Sequence, residues 1–415
     1  MKRTLFLLAF VILTISTIKA QLKIDGEYRP RFEFRDGYKT LKTEDSNPAY
    51  FITQRTRLNL NHTYNNITSK LSVQDYRVWG ESKLKVDDPG ISLFEAYFKL
   101  KLNEYWAITA GRQAINIDNK RLFSAANWNQ VSSSHDGLTM DFKKETFNFK
   151  MITAFNQAKV SNFGTDYSDQ ISNYKFLNVI WLEKKFQNWS LANLTITDAY
   201  QKEGTTNTDY YRFTTGGIVK YKNDANDFQL RGFYQTGKNK TGQDVSAYYT
   251  SASYARKFGS VLNLTGGIEY MSGNDLTDLT NEKDNAFDIL YGAKHWFNGM
   301  MDYFSTPKTT QNAGLVDGYL KVDFTKIDNW KLSTHYHYLA LANNYIYEGE
   351  KQDKFLANEI DLVATWKMND IINLQLGYGM LFGGKTLEYV KGIEGDGLQQ
   401  YFFTMITVKP TFFKN

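Results

Sequence analysis

From Gln21 onward, apolar and charged side chains alternate residue by residue over stretches of about ten to fourteen residues. Leu22, Ile24, Tyr28, Phe32 and Phe34 alternate with Lys23, Asp25, Glu27, Arg29, Arg31, Glu33 and Arg35. The pattern returns at Leu262, Leu264, Gly266, Ile268 and Tyr270, and again at Leu356, Ile360, Leu362, Ala364 and Trp366. Successive strand side chains point to opposite faces, so each stretch reads as a strand with one apolar and one polar face. Such lengths exceed the usual globular strand and suit one that crosses a bilayer at a tilt.

Two kinds of connection separate the stretches, and they alternate. Short ones lie at Tyr64-Asn65-Asn66, Leu102-Asn103-Glu104, Lys144-Glu145-Thr146, Phe186-Gln187-Asn188, 223–226, Phe258-Gly259-Ser260, 326–329 and Met368-Asn369-Asp370. Long polar ones lie at 35–50, 81–89, 115–134, 158–173, 199–209, 238–244, 274–313, 342–354 and 385–398. Eight turns and nine loops imply eighteen strands with both termini on the turn side. Outer-membrane barrels have this layout, with short periplasmic turns and longer extracellular loops. The expected fold class is therefore all-β, a transmembrane antiparallel up-and-down barrel. Residues 287–298 are apolar enough to pair, but counting them breaks the alternation. They fall instead in loop 274–313, whose Ile289, Tyr291, Trp296, Phe297, Met300, Met301 and Tyr303 predict that it folds at or into the barrel mouth.

The first twenty residues stand apart. Lys2 and Arg3 precede an apolar run from Thr4 to Ile15, too short for a helical span of ~20 residues. This predicts a signal peptide over 1–20, a single barrel domain over 21–415 and export to the bacterial outer membrane. No later run approaches the ~18 residues of a membrane helix. With no cysteine, disulfides and thiolate metal sites are excluded. Loss of Lys2, Arg3 and Lys19 leaves 46 basic against 44 acidic residues, too even to suggest nucleic acid. Aromatics recur beside the turns at Tyr64, Tyr105, Trp106, Phe147, Phe186, Trp189, Tyr221, Phe228, Phe258, Trp330 and Trp366, as in an interfacial girdle. Pro30 and Pro410 fall in the first and last strands, where a bulge tolerates the missing N–H.

If the apolar face meets lipid, the charged face lines the lumen. Arg29, Arg31, Arg55, Arg57, Arg231 and Lys321 then point inward; Arg77 and Arg112 join them if Asp75 and Gly111 mark bulges. Guanidinium groups stay charged and match carboxylates, so such a lumen attracts anions. The competing reading is a salt-bridge ladder with Glu27, Glu33, Asp75, Glu95 and Glu269 that only packs the interior. Catalytic signals are weak: no nucleophile elbow, zinc-protease, phosphate-loop or dinucleotide motif occurs. Ser134-His135-Asp136 is contiguous, cannot form a relay and reads as loop polarity. His335 and His337 share a strand face, but nothing nearby in sequence completes a metal site, so they read as lumen lining.

Arg55-Thr56-Arg57-Leu58, Glu95-Ala96-Tyr97 and Gly111-Arg112-Gln113 with Asp118 and Arg121 resemble motifs of the alginate export family of outer-membrane porins. The stretch from Gly267 to Asp275, followed by Phe287, Tyr291, Gly292, His295, Phe297, Gly299, Asp302 and Tyr303, resembles its second hallmark. The resemblance implies an eighteen-stranded barrel with an electropositive constriction for an anionic uronate polymer. By analogy Arg29, Arg31, Arg55, Arg57, Arg77, Arg112, Arg231 and Lys321 attract the solute. Glu95 and Glu269 hold the arginines, and the loop carrying His295 and Asp302 gates the mouth. The expected partners are outer-membrane lipid and an anionic oligo- or polysaccharide or small anions, with no cofactor and a monomeric state. The alternatives are a general or neutral-sugar porin, an outer-membrane lipid-modifying enzyme, and a plugged adhesin.

Overall fold

The computed structural model describes residues 20–82, 90–168, 174–278, 280–305, 307–325 and 327–415. The expected signal peptide, apart from Ala20, and most of the expected loop 81–89 lie outside them. In chain order the strands are β1 (Ala20–Asp36), β2 (Ala49–Tyr64), β3 (Ile67–Val78), β4 (Ile91–Lys101), β5 (Trp106–Gln113) and β6 (His135–Lys144). Then come β7 (Phe147–Phe155), β8 (Phe176–Phe186), β9 (Trp189–Gln201), β10 (Asp209–Lys222), β11 (Asn226–Lys238) and β12 (Asp244–Phe258). The rest are β13 (Leu262–Met271), β14 (Leu315–Phe324), β15 (Trp330–Ala340), the short β16 (Ile346–Tyr347) and β17 (Glu350–Lys351), β18 (Phe355–Lys367), β19 (Ile372–Gly383), β20 (Gln399–Val408) and β21 (Thr411–Lys414).

Each long strand pairs antiparallel with its neighbour in sequence, and β1 closes the ring on β20 and β21. β20 and β21 are two halves of one wall strand parted at Pro410, and β16 and β17 form a small hairpin within a loop. The result is a closed barrel of eighteen strands. Closure leaves no unpaired edge, as lipid demands of a spanning sheet. Segment 287–298 contributes no wall strand, in agreement with the turn-loop count. The two prolines share the closing seam. Pairing between β1 and β20 skips Arg29 and Pro30, and the seam shifts register beside Pro410, whose carbonyl accepts the Gly26 N–H at 3.0 Å.

The outer face carries the apolar half of the alternation: Phe98, Leu138, Leu230, Ile268, Leu320 and Leu362 are exposed large hydrophobics. Turn-flanking rings pair across strands, as in Trp330 with Trp366 (centroids 5.2 Å, planes 4° apart) and Trp189 with Tyr221 (4.9 Å). At several turns the first residue takes positive φ, 51° at Asn65, 49° at Glu145 and 47° at Gln187, which twists the hairpin as its strands require.

The inner face departs from a uniformly polar lumen. β1 and β2 present charges inward, but β7 to β9 present Ile152, Leu177, Val179 and Ile196, all buried. They belong to an apolar core inside the barrel, built with Phe123 from the loop after β5 and Phe287, Ile289, Met300 and Met301 from the loop after β13. Two loops therefore fold into the bore, and burying their apolar side chains inside the wall stabilises them by roughly 1.5–3 kcal/mol per large side chain. They also bond to each other: Ser124 N–H to the Tyr291 carbonyl (2.9 Å) and Ala293 N–H to the Lys120 carbonyl (2.8 Å). At Gly292 the approach is so close that a Cβ would lie 1.8 Å from the Arg121 carbonyl oxygen.

Candidate channel interior

Four of the five arginines of β1 and β2 grip the loop between β5 and β6. Arg29 donates to the carbonyls of Asn127 (2.7 Å), Trp128 (3.1 Å) and Asn129 (2.8 Å), and to Gln130 Oε1 (3.0 Å). Arg31 donates to the Trp128 carbonyl at 3.1 Å, and its guanidinium lies 4.4 Å from the indole centroid. Arg55 reaches the carbonyls of Asn129 (3.0 Å) and Gln130 (3.3 Å), and Arg57 reaches Ser132 Oγ (2.9 Å). Acids complete the clamp. Glu27 pairs with Arg55, and Glu33 lies 2.8 Å from Arg31 and 2.7 Å from Arg35. All four arginines are buried. A guanidinium has five donors, so one side chain can meet its wall carboxylate and several loop carbonyls at once.

The second inward loop follows β13. Its His295 Nδ1 is 2.8 Å from Asp302 Oδ1, and the Tyr38 hydroxyl donates to Asp302 Oδ2 at 2.6 Å. Burial pushes the Asp302 carboxyl up, but the His295 charge and the bonds from His295 and Tyr38 outweigh it, holding the group below its usual range. Burial, then the neighbouring Asp302 carboxylate, push the Tyr38 phenol up. The His295 ring stacks on Trp128, so the latch joins both inward loops. Arg121 does the same from the other side, reaching Asn298 Oδ1 (2.5 Å) and Glu269 Oε2 (2.9 Å). Lys391, in the short helix Lys385–Lys391, donates to the carbonyls of Tyr303 (2.7 Å) and Thr309 (3.0 Å), and burial pushes its amine down to about 8.

The remaining expected site residues are scattered. Arg231 pairs with Asp118 of the first loop at 2.6 Å, joined there by Lys220. Burial raises the Asp118 carboxyl, and its bond and charge from Arg231 outweigh that and hold it low. Lys321 lies over the Tyr319 ring at 4.8 Å and lines a 150 Å³ cavity with Arg231 and Glu269. Glu95 holds Lys70 rather than an arginine, and Glu269 holds Arg121. Arg77 and Arg112 turn away from the lumen, correcting the inward expectation. Arg77 is registered opposite Gln54, between the inward Thr53 and Arg55, and pairs with Asp75 at 2.7 Å. Arg112 is the neighbour of inward Gln113 and pairs with exposed Asp136 at 2.7 Å. Ser134-His135-Asp136 is not simply loop: His135 opens β6, is buried and meets the Tyr174 hydroxyl at 2.7 Å.

Open space persists at both ends. Toward the loops a cavity of 670 Å³ is lined by Arg212, Lys240, Lys294 and Lys308 together with Asp284 and Asp288. Arg212 is committed to Asp198 (2.7 Å) and Asp288 (2.9 Å). Lys294 and Lys308 make no ion pair within 4.0 Å among the described residues. Toward the turns a 540 Å³ cavity is lined by Lys99, Lys101, Lys143 and Lys150 with Asp141, Glu183 and the rings of Tyr105 and Trp181. Asp141 pairs with Lys99 and Lys150; Lys101 and Lys143 have no such partner among the described residues. None of these lysines was selected from the sequence. Lys99, Lys101 and Lys150 lie on strand faces that alternation could have flagged, whereas Lys294 and Lys308 depend on how a loop folds.

The alginate export profile matches residues 20–396. No curated protein matches the sequence. Among solved structures the chain resembles the outer-membrane protein OpdK of Pseudomonas aeruginosa (TM-score 0.62, 9% identity, covering 94% of this chain and 99% of that one). It also resembles OccAB4 of Acinetobacter baumannii (TM-score 0.65, 11% identity, 95% and 99%). A third is OccD3 of Pseudomonas aeruginosa (TM-score 0.61, 12% identity, 94% and 92%). At such identities these likenesses speak to the fold alone. Because the profile spans nearly the whole of an eighteen-stranded outer-membrane barrel of porin type, the chain belongs to the alginate export family.

Proposed function

We propose that this porin passes an anionic saccharide, such as a polyuronate, or other small anions by passive, selective diffusion. The observation that carries the reading is the pair of lysines without an ion partner among the described residues in each end cavity, Lys294 and Lys308 on one side and Lys101 and Lys143 on the other. Cations lining a cleft with low-dielectric walls concentrate anions within it. Between the cavities the clamped loops set the narrowest passage. The β1–β2 arginines act mainly as loop holders in this reading, and the end lysines and Arg231 with Lys321 as the attracting charges. The chain works as a monomer in outer-membrane lipid after loss of residues 1–20, without catalysis.

A neutral-sugar channel is the second reading, favoured by the Tyr105 and Trp181 rings of the turn-end cavity, which offer faces on which sugars stack. Reversal potential in a salt gradient across a planar bilayer, followed by addition of uronate oligomers, separates the two. Anion selectivity with block by uronates supports the proposal. A cation-selective or unselective pore that neutral oligosaccharides block equally well overturns it.

A further inference from the structure

Beneath the second inward loop, the wall carries a cluster that the channel reading does not use. His335 and His337 sit two residues apart on β15, and the register of β15 with β18 sets Asp361 opposite His335 and Glu359 opposite His337. One donor atom each of His335, His337 and Asp361 lies within 4.8 Å of the other two. Two buried ring atoms there, His335 Nδ1 and His337 Nε2, have no hydrogen-bond partner among the described residues, and the Glu359 and Asp361 carboxyls share a hydrogen bond. His337, Glu359 and Asp361 are fully buried. Orphaned polar atoms are rare in a folded interior, and two imidazole nitrogens beside a carboxylate suit a shared ligand.

The charge balance leads to the same place. Asp317 and Asp361 are both 0% exposed, yet among the described residues neither has a lysine or arginine nitrogen within 4.0 Å. Buried charges are paired or coordinate metals. His337 is also prepared as a ligand. Its Nδ1 lies 3.0 Å from both oxygens of Asp317, which orients the ring and leaves Nε2 aimed at the cluster. A carboxylate behind an imidazole is the usual outer partner of a metal-bound histidine.

We propose that His335, His337 and Asp361 bind a divalent transition metal of the zinc class, with Glu359 beside them. Two imidazoles and a carboxylate suit zinc rather than calcium or magnesium, which take oxygen donors. The site is tied to the loop. Asp361 Oδ2 accepts the Met300 N–H at 3.0 Å, and Glu359 Oε1 accepts the Met301 N–H at 2.7 Å. Gly299, at φ +87°, passes so close that a Cβ would lie 2.3 Å from the Glu359 carboxyl. The ion neutralises the acids and fixes the carboxylates that hold the loop against the wall. His335 is partly exposed and gives the ion its way in.

The test is calorimetric titration of zinc into chelator-stripped, full-length barrel in detergent, with cobalt(II) as a spectroscopic substitute. The expected result is one equivalent bound, with visible cobalt bands of low coordination number and an absorption edge fitted by two imidazole nitrogens. His335→Gln and Asp317→Asn each weaken binding by about 10- to 100-fold. His62→Gln, an exposed histidine on β2, leaves it unchanged. The shift in gel mobility between unheated and boiled samples shows that each variant is a folded barrel. Absence of stoichiometric binding to the folded wild type overturns the proposal. So does an affinity that His335→Gln leaves unchanged or that His62→Gln abolishes.

Discussion

The imidazole of His295 lies flat on the indole of Trp128, with ring centroids 3.9 Å apart and planes within 8°. The two residues belong to different loops, one held to β1 and the other to the loop that follows it. Trp128 sits under Arg31 of β1, and His295 is bound through Asp302 to Tyr38. The stack is thus a joint between two inward-folded loops.

Removing the indole loosens that joint. Trp128→Ala is expected to cost about 2–3 kcal/mol of loop docking, a shift of roughly thirtyfold or more toward the undocked state. Single-channel recordings should show larger and noisier conductance, with the barrel still resistant to unfolding in unheated gels. Unaltered conductance would mean that the loops do not set the passage.

The latch depends on pH through Asp302, whose carboxyl is held below its usual value of about 3.9. A carboxyl lowered in the folded state contributes stability above that usual value and loses it as pH falls through the folded value. Docking should therefore hold from neutral pH to about pH 4 and weaken only below that. Asp302→Asn should abolish the acid step and loosen the loop already at pH 7, read as gating frequency against pH.

Arg55 ties Glu27 to the first loop. Arg55→Met leaves Glu27 with the exposed Lys409 as its ion partner, 3.3 Å away, and frees the Asn129 and Gln130 carbonyls. Breaking a buried pair from one side costs about 3–5 kcal/mol. Urea unfolding of the single variant should show most of that loss, and Arg55→Met with Glu27→Gln should recover part of it.

Selectivity should follow the end cavities and not the outer arginines. Lys101→Glu with Lys143→Glu is expected to lower the anion-to-cation permeability ratio by roughly tenfold. Arg77→Gln and Arg112→Gln, on the outer face, should leave it unchanged. Reversal potentials in a salt gradient measure both.

The wall was legible because strand side chains have a period of two, and that period holds wherever one face meets lipid and the other meets water. Where an inward loop packs on the wall, both faces are apolar, as at Leu177 and Val179 of β8, and alternation says nothing of what lies inside. Arg77 and Arg112 were misplaced because an assumed bulge inverts parity. The register slips between Ser72 and Val73 on β3, but Arg112 keeps step with Asp136. The pairing of His335 with Asp361 depends on register across a hairpin whose loop runs from Leu341 to Lys354, too long for sequence to set. The arginines of β1 and β2 were found as a cluster, but several of their loop partners are main-chain carbonyls, which carry no sequence signal.

That last feature bears on how such a channel can diverge. The clamp holds the carbonyls of Asn127, Trp128, Asn129 and Gln130, and every residue type has a carbonyl. The wall can therefore keep its grip while many side chains of the loop are exchanged. The inward loop behaves as an insert seated in a standard fitting, and it can be altered without redesign of the strands that hold it.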